Sequence, residues 1–284
     1  MDLVASDTRV FLFHSPSASE DAGGAMDRVG HAIANAAVGN PADAATLEVT
    51  IGGLELRAER QTTIAVAGAD FSAKLDMVAV PLQTPVACQA GSVLRFEVSG
   101  HGRRAYLAVA GGVRNDRRYP VRPLVAGQAV AIDVLTTRDA RAVATPTSLP
   151  SGGARLRVLP GPQEALLPGR CLDALCAERF IMSPQSNRVG YRLTGPVLPA
   201  AVGEMISDAT FPGGIQVTPS GEAILLMADR QTTGGYPQVA VVISADLPVA
   251  GQLAPGDWIE FAQCSRGEAR AALAAQEAML ADAR

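Results

Sequence analysis

Nine residues, Asp229-Arg230-Gln231-Thr232-Thr233-Gly234-Gly235-Tyr236-Pro237, concentrate hydrogen-bonding chemistry in one short stretch. They supply a carboxylate, a guanidinium, an amide, two hydroxyls and a phenol around a glycine pair. A plain hairpin needs only a turn such as Asn-Gly. Gly234-Gly235 lets the backbone approach a ligand or another chain closely. Two readings stand: a long polar loop closed by Pro237, or a binding or catalytic loop. A second polar run, residues 183–196, carries Gln185, Asn187, Arg188, Tyr191 and Arg192. Arg188 and Arg192 read equally as ion-pair partners of a nearby acid and as ligand contacts. Tyr191 and Tyr236 read as core rings with satisfied hydroxyls or as site residues. Gln216 sits between Ile215 and Val217. In a strand it faces away from both, into a groove or solvent if they face the core.

Other chemistries lack their residues. The histidines, His14, His31 and His101, are scattered and form no metal-binding pair. Cys88, Cys171, Cys176 and Cys264 show no C-x-x-C spacing and are expected as buried free thiols. No Ser-His-Asp order or Cys-His pairing supports covalent catalysis. Lys74 is the only lysine and stands in Ala-Lys-Leu, so there is neither a P-loop nor a biotinyl Met-Lys-Met. No metal is therefore expected, and no covalently bound cofactor. Any ATP or biotin would be handled largely through another polypeptide.

The 284 residues are 48% hydrophobic, enough for a sizeable core. Aromatic residues make up only 4%, which argues against stacking on single-stranded nucleic acid. The net charge of −4 gives no basic field for nucleic acid or anionic lipid. No apolar run approaches the roughly 18 residues a membrane helix needs. Residues 10–13 are too short a cluster for a signal peptide, so a cytoplasmic protein is expected. A helix is expected over residues 26–38, stopped by Gly39-Asn40-Pro41, with Asp27 as its cap. From residue 46 onward short apolar runs punctuated by glycine predict many short strands, as in a sandwich or barrel. Residues 114–122 read as a charged solvated loop and 140–153 as a linker. The apolar runs 223–228 and 239–244 predict the strands that hold the 229–237 loop. Ser265 and Glu268 form a capping box for a terminal helix that docks on its own domain or on a partner. The expected division is 1–145, 154–264 and a helix over 265–284.

Several long stretches occur together in one order: GGAMD at 23–27, ANAAVGNPADAATLEVTIGG at 34–53, GAD at 68–70 and AYLAVAGGV at 105–113. LPGPQ at 159–163, SNRVGYRLTGP at 186–196, GGIQVTPSG at 213–221 and the DRQTTGGYP stretch follow. In this the chain resembles the allophanate hydrolase subunit 2, or biotin-dependent carboxyltransferase, family, and within it most of all the 5-oxoprolinase C subunits. The resemblance implies a mainly β fold of two cyclophilin-like β-barrel halves packed together, with a C-terminal helix. It implies work in the cytoplasm beside a subunit 1 homologue and a lactam-utilisation subunit, opening 5-oxoproline to glutamate with ATP. The alternatives are a carboxyltransferase of urea carboxylase type, with biotin on a separate chain, and a non-catalytic regulatory partner of subunit 1.

The family's reactions develop negative charge on a carbonyl or phosphorylated oxygen and so need positioned donors. Gln231, Thr232, Thr233, Asn187, Arg188 and Tyr191 are candidate donors, together with the backbone of Gly234 and Gly235. Gln216 and Tyr236 complete the expected binding set, and Asp229 or Glu204 is the candidate base. Two stretches depart from the family pattern. Residues 9–20 lack the usual Thr-x-Gln-Asp-x-Gly-Arg segment, and 114–123 replace a Gly-Ser-Arg-Ser-Thr stretch.

Overall fold

The structure, a computed structural model, describes residues 2–5, 9–13, 23–98, 101–114, 121–124, 127–132, 137–144, 149–168, 170–200 and 205–283. The chain divides into two compact units. One is built on Gly23–Leu149 with Glu277–Arg284 and the first strands; the other is built on Pro150–Gln276.

The first unit holds β1 (Asp2–Ala5), β2 (Arg9–Phe13), α1 (Arg28–Ala37), β3 (Thr46–Thr50), β4 (Leu54–Arg57) and β5 (Thr62–Gly68). It continues with β6 (Lys74–Leu75), β7 (Val78–Ala79), β8 (Val86–Cys88), β9 (Val93–Arg95), β10 (Arg104–Val109) and β11 (Val121–Leu124). Among the described residues these make a five-stranded sheet, β1-β4-β9-β6-β7, and a six-stranded sheet, β11-β2-β3-β10-β5-β8. One core lies between the sheets, with Leu47, Val49, Leu56, Val66, Leu94 and Leu107 in it.

The apolar runs of β5 and β10 do not alternate with polar residues because both faces of their sheet are covered. Ile64 and Val66 face the other sheet, while Ala65 and Ala67 face α1. Leu107 and Val109 likewise face the sheet, and Tyr106 and Ala108 face α1. Alanines on that face let Val29, Ile33 and Ala37 of α1 pack close. Asp27 caps the helix as expected, its Oδ1 accepting from Val29 N at 3.0 Å and Gly30 N at 2.9 Å.

Two stretches differ from the sequence reading. Part of the expected solvated loop is strand: β11 pairs with β2 at the sheet edge, where Pro123 is tolerated. The first described part of the expected 140–153 linker, with the residues just before it, is not free. Arg138 N donates to Gly39 O, Arg141 N to Ala37 O and Val143 N to Gln83 O, and Val143 is buried.

The second unit holds β12 (Gly153–Pro160), α2 (Cys171–Ala177), β13 (Arg179–Met182), β14 (Gly190–Thr194), β15 (Asp208–Ala209) and β16 (Gly214–Val217). After these come β17 (Ala223–Leu226), β18 (Thr233–Gly234), β19 (Gln238–Val242), α3 (Leu247–Gly251), β20 (Trp258–Gln263) and the start of α4 (Arg266–Asp282), whose residues from Glu277 onward belong to the first unit. Seven strands close a barrel in the order β12-β19-β16-β17-β14-β13-β20, sealed by the parallel pairing of β12 with β20. A mainly β architecture with a closed barrel and a C-terminal helix is thus as expected. Alternate side chains fill the barrel: Phe180, Met182, Tyr191, Leu193, Ile215, Leu225, Ile259 and Phe261 are buried, and in β13 and β14 their neighbours Arg179, Arg192 and Thr194 are exposed. The helix α4 opens with the expected capping box. Ser265 N donates to Glu268 Oε2 at 2.7 Å, and Glu268 N donates to Ser265 Oγ at 3.2 Å.

Candidate functional site on the outer face of the barrel

The alternation that buries Tyr191 and Leu225 turns Gly190 and Arg192 of β14, and Ile224 and Leu226 of β17, outward. Arg192 lies opposite Ile224 and Gly190 opposite Leu226. Gln216 of β16 also lies opposite Ile224, on the same outer face. These residues floor a cleft of about 240 Å³. Its walls are Gln185, Asn187 and Val189 on one side and Thr210, Gln231, Thr233 and Gly234 on the other.

The second wall is the DRQTTGGYP stretch folded into a ribbon. Asp208 pairs with Gly234 and Ala209 with Thr233. Thr210 N donates to Thr232 O at 3.0 Å, and Thr210 Oγ1 donates to Gln231 O. The register slips between Ile215 and Gln216, a bulge that brings Gln238 opposite Gln216. Gln238 Nε2 donates to Ala209 O at 2.9 Å, its Oε1 accepts from Phe211 N at 3.3 Å, and Gln163 Nε2 donates to Asp208 Oδ2 at 2.7 Å. Gln163 and Gln238 are buried and brace the ribbon from beneath. Gly234 keeps the ribbon close to Gln216 and Thr210. An added Cβ would lie 2.5 Å from Gln216 Nε2 and 3.0 Å from Thr210 Cγ2. Gln216 is buried and donates from Nε2 to Tyr236 O at 3.3 Å.

The expected site residues divide by place. Asn187, Gln216, Gln231, Thr233 and Gly234 come together around the cleft. Tyr191 is fully buried inside the barrel, on the opposite face of its strand. Thr232 and Gly235 are exposed on the ribbon, as is Tyr236, which contributes its carbonyl to Gln216. Arg188 and Asp229 form a two-pronged ion pair, Nε to Oδ2 at 2.8 Å and Nη2 to Oδ1 at 3.0 Å. Asp229 N also donates to Arg188 O at 2.9 Å. This pair ties the two walls together at their roots. Glu204, residues 14–20 and residues 115–120 lie outside the described residues. Gln185, Thr210, Gln163 and Gln238 join the site without belonging to the expected set. Gln185 stands in the polar run 183–196, and Gln163 ends the LPGPQ stretch; nothing in the sequence marks Thr210 or Gln238.

The cleft is rich in neutral amides and hydroxyls, over a floor in which Ile224 and Leu226 are apolar and Arg192 is charged. The amides and hydroxyls donate to a carbonyl oxygen and accept from an amide N–H without requiring charge on the ligand. Among the described residues, no group of histidines, cysteines and carboxylates is arranged to hold a metal ion. None of their helices is long and apolar enough to cross a membrane.

The first unit holds a different polar cluster. Glu48, on β3, is fully buried and accepts from Met26 N at 3.1 Å and from the Tyr106 hydroxyl at 2.8 Å. Tyr106 Oη in turn accepts from Asp27 N at 2.7 Å. Arg104 Nε lies 3.5 Å from Glu48 Oε1. Burial, then the charges of Glu48 and Asp27, push the Tyr106 phenol well above its ordinary value. The cluster fixes the chain entering α1.

A closed β-barrel carrying an amide-lined cleft on its outer face, preceded by a two-sheet unit, defines a class that comparison with known proteins makes specific. Residues 21–263 match the model of the carboxyltransferase domain, subdomain A and B, and the chain belongs to that family. Its relatives include two 5-oxoprolinase C subunits. That of Escherichia coli K12 is 36% identical over 265 residues, spanning 87% of this chain and 84% of that one. That of Haemophilus influenzae is 31% identical over 258 residues, with the same two coverages of 87% and 84%. The crystal structure of Kluyveromyces lactis urea carboxylase superposes with a TM-score of 0.90 and 25% identity. It covers all of this chain, which spans 29% of that longer protein.

Proposed function

We propose that the chain is one subunit of an ATP-dependent 5-oxoprolinase, in which the outer cleft of the barrel holds the lactam amide. The observation that carries this reading is the convergence of Asn187, Gln216, Gln231 and Thr233 on one cleft beside Ile224 and Leu226. The likeness to two 5-oxoprolinase C subunits over 84% of their lengths supports it. As the lactam carbonyl is attacked or phosphorylated, charge builds on its oxygen. Donors fixed beforehand stabilise that charge at no reorganisation cost. In this reading Gln231 and Gln216 are the donors, and the hydrogen bond from Gln216 to Tyr236 O supports a fixed orientation. Asp229 has both oxygens engaged by Arg188 and serves to position the walls. Glu204 remains the candidate base on this chain. ATP is used by the assembled complex, with a subunit 1 homologue and a lactam-utilisation subunit as partners in the cytoplasm.

The test is reconstitution with those partners, following glutamate release from 5-oxoproline and ATP. Gln231→Ala and Gln216→Ala are each expected to lower kcat by about 10²-fold, the effect of removing one oxyanion donor. Absence of turnover with folded components, or full activity in both variants, overturns the reading.

The likeness to urea carboxylase over the whole chain favours a second reading, a carboxyltransferase acting on an amide with biotin carried by another chain. That activity would stop on addition of avidin. A third, non-catalytic role beside subunit 1 would leave complex formation intact in Gln231→Ala and Asp229→Ala with no turnover to lose.

A further inference from the structure

A second cavity, of about 360 Å³, adjoins the cleft and shares Gln185, Arg192 and Ile224 with it. It differs in adding one anion, Glu222, to the cation Arg192 that the two share. In this unit Arg157, Arg170, Arg179 and Arg188 are each ion-paired with Asp246, Asp173, Glu260 and Asp229. Arg192 is not. Among the described residues its hydrogen bonds are made by the backbone alone. Ser183 N and Ser186 Oγ donate to its carbonyl at 2.9 and 3.3 Å, and its N–H donates to Ser186 Oγ at 3.1 Å. The backbone of Arg192 is thus pinned to the 183–186 turn while the guanidinium is left available in the cavity.

Glu222 is equally fixed at its backbone and open at its carboxylate. Its N–H donates to Thr218 Oγ1 at 3.0 Å. The turn before it is locked against the next wall, because Leu198 N donates to Gly221 O at 2.9 Å. An added Cβ at Gly221 would lie 2.5 Å from Leu198 O. Arg192 lies opposite Ile224, and Glu222 is two residues before Ile224, hence on the same outer face. The two charges therefore line one cavity from neighbouring segments, Arg192 from β14 and Glu222 from the turn just before β17.

From this arrangement we infer that the second cavity binds the zwitterionic end of an α-amino acid, Arg192 taking the carboxylate and Glu222 the ammonium. A guanidinium binds a carboxylate through two parallel hydrogen bonds, and a carboxylate accepts from an ammonium at short range. The inference rests on the reading of the adjoining cleft as the amide-handling site and extends it. A lactam acid has no ammonium, whereas the amino acid made by opening it does, so the second cavity favours the opened product.

The test needs neither ATP nor partner subunits. Calorimetric titration of the full chain with L-glutamate is compared with glutarate, which has the same carbon chain and no α-ammonium. Glutamate is expected to bind about tenfold more tightly, in the millimolar range. Arg192→Gln should weaken both ligands about tenfold, and Glu222→Gln should weaken glutamate alone and remove the preference. No glutamate binding up to about 50 mM, equal affinity for the two acids, or a loss on only one of the substitutions overturns the two-point assignment. Failure of 5-oxoproline turnover with this binding intact would instead count against the proposed activity alone.

Discussion

At the scale of single residues, the Arg188–Asp229 pair shows how a charged group in a polar stretch can be structural. Arg188 has only 7% of its side chain exposed and Asp229 27%. Removing Asp229 leaves the buried Arg188 guanidinium without its carboxylate, which costs about 3 kcal/mol, whereas Asp229 left alone is part-exposed and solvated. Asp229→Leu is therefore expected to lower unfolding free energy by about that amount in urea titrations, and Arg188→Met by less. The double variant Arg188→Met with Asp229→Leu should recover much of it, because an apolar pair of similar volume has no desolvation penalty. Additive losses in the double variant would show that the pair is not coupled. The sequence puts both residues in the right neighbourhood and leaves open whether Arg188 pairs with an acid. It does show that Gln216 turns away from Ile215 and Val217, since period two settles that. Which polar residues of the 183–196 and 229–237 stretches reach the cleft is not legible in it. That depends on the ribbon with β15 and on the bulge beside Gln216, both tertiary features.

Elements are legible where local signals and burial agree. The helix α1, its Asp27 cap, most strands of the first unit and the capping box of α4 follow from periodicity and end signals. The helix α3 is not announced by any pattern. It is a single turn between β19 and β20 with Pro248 near its start, held in place through Asp246, which accepts from Arg157 Nε at 3.0 Å and Nη2 at 2.6 Å. The turn that connects β3 to β4 is strained in a way periodicity does not reveal either. Ile51, Gly52 and Gly53 all have positive φ, with Ile51 at 79°. A β-branched residue there carries a steric penalty of roughly 1–2 kcal/mol relative to a residue that tolerates the left-handed region. Ile51 is 41% exposed, so replacing it loses little packing. Ile51→Asn is expected to stabilise the protein by about 1 kcal/mol, read as a rise in urea midpoint at unchanged slope. Ile51→Val, which keeps the branch, should not. A lower midpoint for Asn would mean that the side chain packs more tightly than its exposure indicates.

In the whole molecule, several buried groups share one protonation preference. Burial and then the charge of Glu164 push the Cys171 thiol up to about 11, and burial followed by Asp76 raises Cys88. Tyr106 is raised well above 10.0 by burial and by Glu48 and Asp27. In each case the folded chain keeps a proton that the unfolded chain releases. Thiols of the unfolded chain ionise from about pH 9 and phenols from about pH 10. Above about pH 9 the folded state therefore holds more protons than the unfolded state, and stability falls as pH rises. Below that, these groups are protonated in both states and contribute no slope. The urea midpoint is expected to be flat from about pH 7 to 8.5 as far as these groups are concerned and to drop between about pH 9 and 11. Cys171→Ala should make the drop shallower. Tyr106→Phe should do the same and also cost about 1–2 kcal/mol at every pH, because Asp27 N–H loses its acceptor and Glu48 a donor. An undiminished alkaline slope in the double variant would assign the transition to other groups, whereas a flattened one would show that the cores of the two units share the same pH limit through different side chains.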